Sequence, residues 1–327
     1  MNDYMDDPHA FGVTSQSMSH FDRSIVLDDM NEAPTPAARI DEIWHQHRRR
    51  VLDVAYRMLG SVHDAEDVLQ EAYSRLLVAD VESLDDARGW LVTVTSRLCI
   101  DRLRAHERVK QAYVGPWLPE PIVDLPSGET DLADRVTLDD TVRMALMVVL
   151  EQLSPAERAA FVMHDVFGVD FVAIAELVGR SPQACRQLAS RARRRIASHE
   201  AAARFQVDRS EHELVVARFI DACERGDLDS LLAVLDPGVI GDFDSGGALP
   251  TAPLLALDGA TAVAHQLLAT VLNRGLTFEP AGVNGEPGML ITTGTDLVAV
   301  LSLGVRARRI DVIHAIGNPA KLRHITR

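Results

Sequence analysis

Seven arginines and one glutamate lie between Arg180 and Arg204, a local charge of +6 in a chain of 327 residues whose formal charge is -15. Guanidinium and amide side chains make charge-assisted and bidentate contacts to phosphates and base edges, so the chemistry they suggest is recognition rather than bond-making. Within Ser181 to Ile196 the apolar Cys185, Ala189, Ala192 and Ile196 recur at helical spacing. That turns Gln183, Arg186, Gln187, Ser190, Arg191 and Arg194 outward. Upstream, Val172, Ile174, Ala175, Leu177 and Val178 form one face of a shorter helix that Gly179 ends, and Ser181 with Pro182 starts the next. The segment from Phe171 to Ile196 therefore reads as a DNA-reading helix-turn-helix. A solvated basic face is the plainer reading of the same residues; the concentrated reversal of charge favours a phosphate-facing surface.

A second group of charged residues lies nearer the start. Asp64, Glu66, Asp67 and Glu71 make an acidic helix edge around Val68 and Leu69, able to pair with basic residues on a protein partner. Acid in a first helical turn is also favourable to the helix dipole by itself. Arg97, Arg102 and Arg104 follow Trp90 along one helical stretch, a set able to hold phosphates beside an unstacked base. Trp90 is equally readable as a core residue. For catalysis the chain offers little. There is no nucleophile elbow, no phosphate-cradling glycine loop and no metal-ligand spacing, so neither a metal nor a cofactor is implied. The candidate general bases are Asp242, Asp244, His265 and His314.

Five segments must position these residues. Residues 1–38 carry a charge of -6, lack helical or strand periodicity and read as a disordered acidic tail. Residues 39–113 show three amphipathic stripes, broken at Gly60-Ser61 and around Val81 to Arg88, and read as a small helical bundle. Residues 114–137 are acidic and proline-bearing and read as a linker, yet Trp117 and Leu118 predict that it docks on a neighbouring domain. Residues 138–205 form a second helical domain containing the helix-turn-helix. Residues 206–327 change texture: a helix over Glu211 to Arg225, a short one through Leu231, Leu232 and Leu235, and a further one from Asp258 to Leu272. Strands are expected at Val239 to Asp244, Leu276 to Val283, Met289 to Thr293, Leu297 to Val305 and Ile310 to Ile316. The fold class is multidomain: two all-α domains followed by an α+β domain with a mostly antiparallel sheet.

Composition adds boundaries. Cys99, Cys185 and Cys223 are too scattered for a disulfide framework or a zinc site, which fits a reducing cytoplasm. The longest apolar run, Met144 to Leu150, falls far short of the roughly 18 residues of a membrane span. With the acid concentrated outside the helical domains, free DNA is attracted weakly overall, favouring a protein that meets DNA together with a larger partner.

Asp64-Ala65-Glu66-Asp67-Val68-Leu69-Gln70-Glu71-Ala72 resembles the helix in region two of extracytoplasmic-function sigma factors that docks on the clamp of RNA polymerase. Gly89-Trp90-Leu91 and Arg97 to Arg104 resemble the adjoining part that opens and reads the promoter −10 element. The helix-turn-helix resembles region four, which reads the −35 element and meets the polymerase flap. Trp117-Leu118-Pro119-Glu120-Pro121 is similar to the linker of those sigma factors that carry a C-terminal SnoaL-like cone domain. Asp244-Ser245-Gly246-Gly247 and Asn318-Pro319-Ala320-Lys321-Leu322 resemble that group's Asp-Gly-Gly-Gly-Lys and Asn-Pro-x-Lys-Leu motifs. Ser245 replaces a glycine, and Ala248 stands where the first motif's lysine would be, which removes that lysine as a salt-bridge partner.

The resemblance implies a promoter-specificity subunit, cytoplasmic and not an enzyme, with RNA polymerase core and promoter DNA as partners. It implies that the C-terminal domain regulates in cis, through Trp117, Leu118, Pro119, Glu120, Pro121, Asp244, Gly246, Gly247, Asn318, Pro319 and Lys321. A small-molecule ligand in the cone is a further partner under this reading. SnoaL-like folds also include cyclases and isomerases, and a free-standing helix-turn-helix regulator would explain Phe171 to Ile196 but not the acidic helix or the linker.

Overall fold

The computed structural model describes residues 35–124, 136, 142–203, 208–249, 252–271 and 275–325. The acidic segment read as a disordered tail lies almost wholly outside them.

Sequence punctuation sets the first three helices. Helix α1 (Pro36–Leu59) starts on Thr35, whose hydroxyl accepts from Ala38 N, and ends on left-handed Gly60. Helix α2 (Val62–Leu77) is capped by Ser61. Helix α3 (Ala87–Gln111) is capped by Asp86, whose side chain accepts from Gly89 N. Their apolar stripes close on each other through Tyr56, Met58, Val68, Leu76 and Leu91, all fully buried. Each cap satisfies backbone N–H groups that the helix itself cannot.

The linker then leads into strand β1 (Val123–Asp124), which pairs antiparallel with a strand of the C-terminal sheet. The second helical domain has α4 (Met144–Glu151), α5 (Pro155–Phe161), a π turn over Val162–Val166, α6 (Phe171–Val178) and α7 (Pro182–Ala203). A reciprocal capping box between Ser154 and Glu157 starts α5. The buried residues of both helical domains form one continuous apolar core from Ile40 to Ile196. The two domains are therefore folded against each other rather than held apart on the linker.

The C-terminal domain opens with α8 (Arg209–Arg225) and α9 (Leu228–Val234), followed by β2 (Leu235–Asp244), β3 (Leu257–Asp258), α10 (Ala260–Val271), β4 (Thr277–Val283), β5 (Glu286–Thr293), β6 (Asp296–Arg306), β7 (Arg309–Ile316) and α11 (Pro319–Leu322). Leu235, expected in the second short helix, instead begins β2, because Pro237 two residues on cannot continue a helix. The sheet order is β1-β4-β5-β6-β7-β2-β3, antiparallel except for the parallel β2–β7 pair. One face curls around α8 to α10 over Phe219, Val263, Met289, Leu301 and Ile313, forming the cone. The opposite face, through Val283, Leu290, Val300 and Ile316, packs on Leu118, Val123, Met144 and Leu322. Two linker residues, the first helix of the second domain and the C-terminal helix thus share one apolar seam.

Candidate nucleic-acid interface and the latch that holds it

Helix α7 carries the predicted base- and phosphate-reading side chains on its outer face. Cys185, Ala189, Ala192 and Ile196 are buried, while Gln183, Arg186, Gln187, Ser190, Arg191 and Arg194 are exposed. Gly179 (φ 70°) makes the turn, and Ser181 Oγ accepts from Ala184 N at 3.2 Å. Two arginines are held at the flanks. Arg191 pairs with Glu157 at 3.0 Å and Arg193 with Asp165 at 2.7 Å, pairs that orient exposed side chains more than they stabilise the domain. Arg186 lies 5.5 Å from the Phe171 ring centroid.

On the first domain the predicted residues separate by depth. Asp64, Glu66, Asp67 and Glu71 are half-buried along one edge of α2. Val68 is fully buried, so its assignment as a polymerase contact is corrected: its spacing puts it on the apolar stripe, and it supports the acidic edge from beneath. Arg97 and Arg104 are exposed on α3, Arg104 beside Asp101 at 3.4 Å. Arg102 turns toward α2, donating to Asp64 O at 2.8 Å and standing 3.8 Å from Asp67. It ties the acidic helix to α3 instead of projecting freely. Trp90 is half-buried against the apolar core.

The linker is gripped at two points. Glu120 caps α2: its carboxylate accepts from Val62 N at 2.7 Å, His63 N at 3.2 Å and Ser61 Oγ at 3.1 Å, while Glu120 N donates to Gly60 O at 2.8 Å. A carboxylate at a helix N-terminus meets both the orphan N–H groups and the positive end of the dipole. Tyr56 Oη donates to Glu120 O at 2.9 Å, and burial pushes that phenol well above its ordinary pKa.

At the other point Asp244, on the last residue of β2, accepts from Leu118 N at 2.9 Å, from Lys321 Nζ at 2.7 Å and from the Tyr113 hydroxyl. Lys321 also donates to Leu118 O and stands 3.8 Å from the Trp117 ring centroid. Burial pulls its ammonium pKa down, against the opposing pull of Asp244. Asn318 Nδ2 donates to Tyr113 Oη at 2.7 Å, and Asn318 Oδ1 caps α11, whose first residue is Pro319. Gly246 (φ 57°) closes the turn under Asn318, where an added Cβ would come within 2.6 Å of Nδ2. Gly247 is left-handed as well. Pro119 and Pro121 are buried, and Pro121 O accepts from His324 Nε2 at 2.8 Å. The acid of the first motif is therefore answered by the lysine of the last.

Sequence reasoning missed several residues that join the domains. Asn284, left-handed in the β4–β5 turn, accepts from Ile122 N at 3.0 Å and donates to Tyr56 Oη at 2.9 Å and Val142 O at 2.7 Å. The Asn-Gly pair signals a hairpin; nothing in it signals a three-way junction. Glu151 receives Arg158 Nη1 at 2.6 Å and also Lys110, and it sits against Gly60, where a Cβ would meet its carboxylate at 2.2 Å. Arg158, fully buried, donates to Arg57 O at 3.1 Å, and its pKa falls to about 9 through burial.

The candidate general bases do not converge on the cone cavity. Strand alternation puts Phe243 and Ala315 toward the cone and Asp242 and His314, 3.2 Å apart, on the opposite face. His265 is exposed on α10, and Asp244 is committed to the latch. The cone cavity, about 50 Å³, is lined by Phe243, Leu249, Gln266, Thr270, Ile291 and Leu301, with Asp244, Ser245 and Gly317 at its rim. Among the described residues no cluster of metal ligands occurs, and no helix is long and apolar enough to cross a membrane.

Residues 43–109 match Sigma-70 region 2 and residues 143–196 match Sigma-70 region 4. Over 285 residues the chain is 40% identical to the probable ECF RNA polymerase sigma factor SigI of Mycobacterium tuberculosis, covering 86% of this chain and 94% of that protein. The chain belongs to the extracytoplasmic-function sigma factors, which are not enzymes. ECF RNA polymerase sigma factor SigJ of the same organism is 39% identical over 286 residues, covering 84% of this chain and 90% of SigJ. The crystal structure of SigJ matches with a TM-score of 0.69 at 35% identity over 87% of this chain and 98% of that one. The C-terminal α+β domain is of the SnoaL-like kind found in SigJ.

Proposed function

We propose that this sigma factor recruits core RNA polymerase through the acidic edge of α2 and the second helical domain, and reads promoter DNA with α3 at the −10 element and α7 at the −35 element. Its domains are taken as residues 39–113, 138–205 and 206–327 around the linker. In the described arrangement the C-terminal domain holds the chain closed. The double grip on the linker carries this reading: Glu120 is bound by the first domain, and Leu118 and Asp244 are bound together by Lys321. With both ends fixed and the helical domains sharing one core, α3 and α7 cannot separate to reach two promoter elements. A closed state favoured by about 3 kcal/mol lowers promoter engagement by roughly two orders of magnitude. Polymerase, acting in the bacterial cytoplasm, would shift the population toward an open form.

A small molecule is a second input favoured by one observation. Asp244, Ser245 and Gly317 line the cone cavity on one side and carry the latch on the other. At about 50 Å³ the cavity is smaller than the roughly 300 Å³ of an ordinary ligand site, so occupancy would have to move this rim.

Run-off transcription with core polymerase, on a promoter selected by the protein itself, tests the closed-state reading. Comparison of the wild-type chain with Lys321→Met is expected to give core-dependent initiation that rises when the latch is cut. Binding of duplex DNA by the chain alone, without initiation from either protein, would point instead to an ordinary DNA-binding regulator.

A further inference from the structure

Of the 33 lysine and arginine residues in the chain, only two are lysines, Lys110 and Lys321. Lysine is ordinarily among the commonest residues, so a chain that uses arginine almost everywhere singles out these two places. Far apart in sequence, the two meet at one aromatic ring: Lys321 Nζ stands 3.8 Å and Lys110 Nζ 5.4 Å from the Trp117 centroid. A guanidinium would supply the charge at either place. What lysine adds is an amine that can lose its proton and act as a nucleophile.

Only one of the two lies within reach of a reagent. The Lys321 side chain is 7% exposed and enclosed by Asp244 and the Leu118 carbonyl, whereas that of Lys110, in the last turn of α3, is 24% exposed. Lys110 Nζ donates to Glu151 Oε2 at the end of α4, and Glu151 Oε1 accepts from Arg158 Nη1 at 2.6 Å. Burial, and then the charges of Arg158 and Lys321, hold the Lys110 amine down to a pKa of about 7, with Glu107 acting in the opposite sense. An amine desolvated beside other cations, with a carboxylate in contact to receive its proton, has the two features that activate a lysine. Arg158 and Glu151 belong to the second helical domain and Lys321 to the C-terminal one, so the activation exists only where the three domains close on each other. The same cations attract an anionic donor, and the partial exposure of the amine favours a small one.

We propose that Lys110 is an acylation site for a small acyl phosphate, and that the modification holds the chain closed. The neutral Nζ attacks the acyl carbonyl carbon; a C–N bond forms as the C–O bond to phosphate breaks, phosphate leaves with the electron pair, and the proton of the amine passes to Glu151 and on to water. The product is a neutral amide that keeps one N–H for Glu151 but carries no charge. In the unmodified chain, opening returns Lys110 to water, where its amine binds a proton, so a fall in pH toward 7 favours opening. An amide cannot take up that proton, and the modified chain loses this drive toward the open form. The consequence rests on the closed-state reading of the function; the site itself does not.

The test treats the full-length chain with acetyl phosphate, in buffer and in urea, and maps the acetylated residues by mass spectrometry. Lys110 is expected to react at least about tenfold faster than Lys321 in the native chain, and the two rates to converge in urea. The native rate at Lys110 should level off above about pH 7, where an ordinary lysine would keep gaining toward 10.5. Equal native rates at the two lysines, or a rate at Lys110 still climbing toward pH 10.5, overturns the site. Acetyl coenzyme A reacting as fast as acetyl phosphate overturns the assignment to a small donor. The consequence is read by run-off transcription, with core polymerase added after the donor has been removed. Acetylated wild type is expected to initiate at least about fivefold less than the untreated chain, while Lys110→Arg, which cannot be acylated, should respond to treatment not at all. An equal loss in Lys110→Arg, or no loss in wild type that is fully modified at Lys110, overturns the regulatory role. No initiation by untreated wild type removes the sigma reading beneath that role, and the mass map still decides the site.

Discussion

The ammonium of Lys321, three residues into the last helical motif, lies 2.7 Å from the carboxylate of Asp244 at the end of β2, and both side chains are almost wholly buried. The pair does more than join β2 to α11 within one domain. Each partner also bonds the Leu118 backbone, Asp244 through its N–H and Lys321 through its carbonyl. The salt bridge is thus a clasp closed around the linker.

Breaking that clasp from one side leaves a buried charge without its counter-ion. Lys321→Met is expected to cost about 3–5 kcal/mol in chemical denaturation. The double variant Asp244→Asn with Lys321→Met should lose less, since the stranded charge is gone. A double variant no more stable than Lys321→Met would contradict a direct coupling of the two.

Glu120→Gln keeps the shape of the cap on α2 while removing its charge. The expected loss is about 1 kcal/mol, together with faster amide exchange at Val62 and His63, whose N–H groups the carboxylate accepts. Hydrogen exchange by mass spectrometry reads this locally; protection unchanged at those amides would place the cap elsewhere.

Asn284→Ala removes three interdomain hydrogen bonds at once and puts alanine at a φ of 51°. Left-handed backbone disfavours alanine, and the Ile122 N–H loses its acceptor, so the expected loss is about 2–4 kcal/mol. Asn284→Gly, which relieves only the backbone, should recover a minor part of it. Full recovery by glycine would show that the turn matters and the bonds do not.

Lys110 makes stability depend on pH. Its pKa is held down to about 7 by burial and then by the neighbouring cations Arg158 and Lys321, against an ordinary value of 10.5. The folded value lies below the unfolded one, so between about pH 7 and 10.5 the unfolded chain binds more protons. Stability therefore rises with pH through this window and is lost as pH falls toward 7. Denaturation of wild type and Lys110→Met at pH 7 and 9 should show the wild type gaining relative to the variant, and parallel slopes would exonerate Lys110.

On α7, Arg194→Ala should weaken promoter binding alike across sequences and flatten the salt slope by about 0.9. Gln187→Ala should instead cost about 1–3 kcal/mol on the cognate −35 sequence and little on others. Competition binding with shuffled duplexes distinguishes the two, and an equal loss on cognate and shuffled DNA would remove Gln187 from base reading.

Local order was legible in the residues themselves. Helices with an apolar stripe and a polar face are set by short-range periodicity, and Gly179, Ser181 and Pro182 mark the turn of the helix-turn-helix through backbone preferences that act within a few residues. The strands of the cone followed from alternation over short segments, with the start of β2 at Leu235 the main departure. The exposure of Gln183, Arg186 and Arg194 came with the helix period, and so did the burial of Val68, once its place on the stripe was counted.

Partners at long range were decided only by the tertiary structure. Trp117 and Leu118 announced a docking linker, but not that Asp244 and Lys321, more than a hundred residues away, would close around it. Tyr113, Glu151, Arg158 and Asn284 carry no spacing signal because their function lies in contacts across domains, where neither helical nor strand periodicity reaches. The closed arrangement is likewise a property of surfaces meeting. A sequence specifies which side chains face outward on each element, and only the packing of one element on another decides which of those faces remains open to DNA.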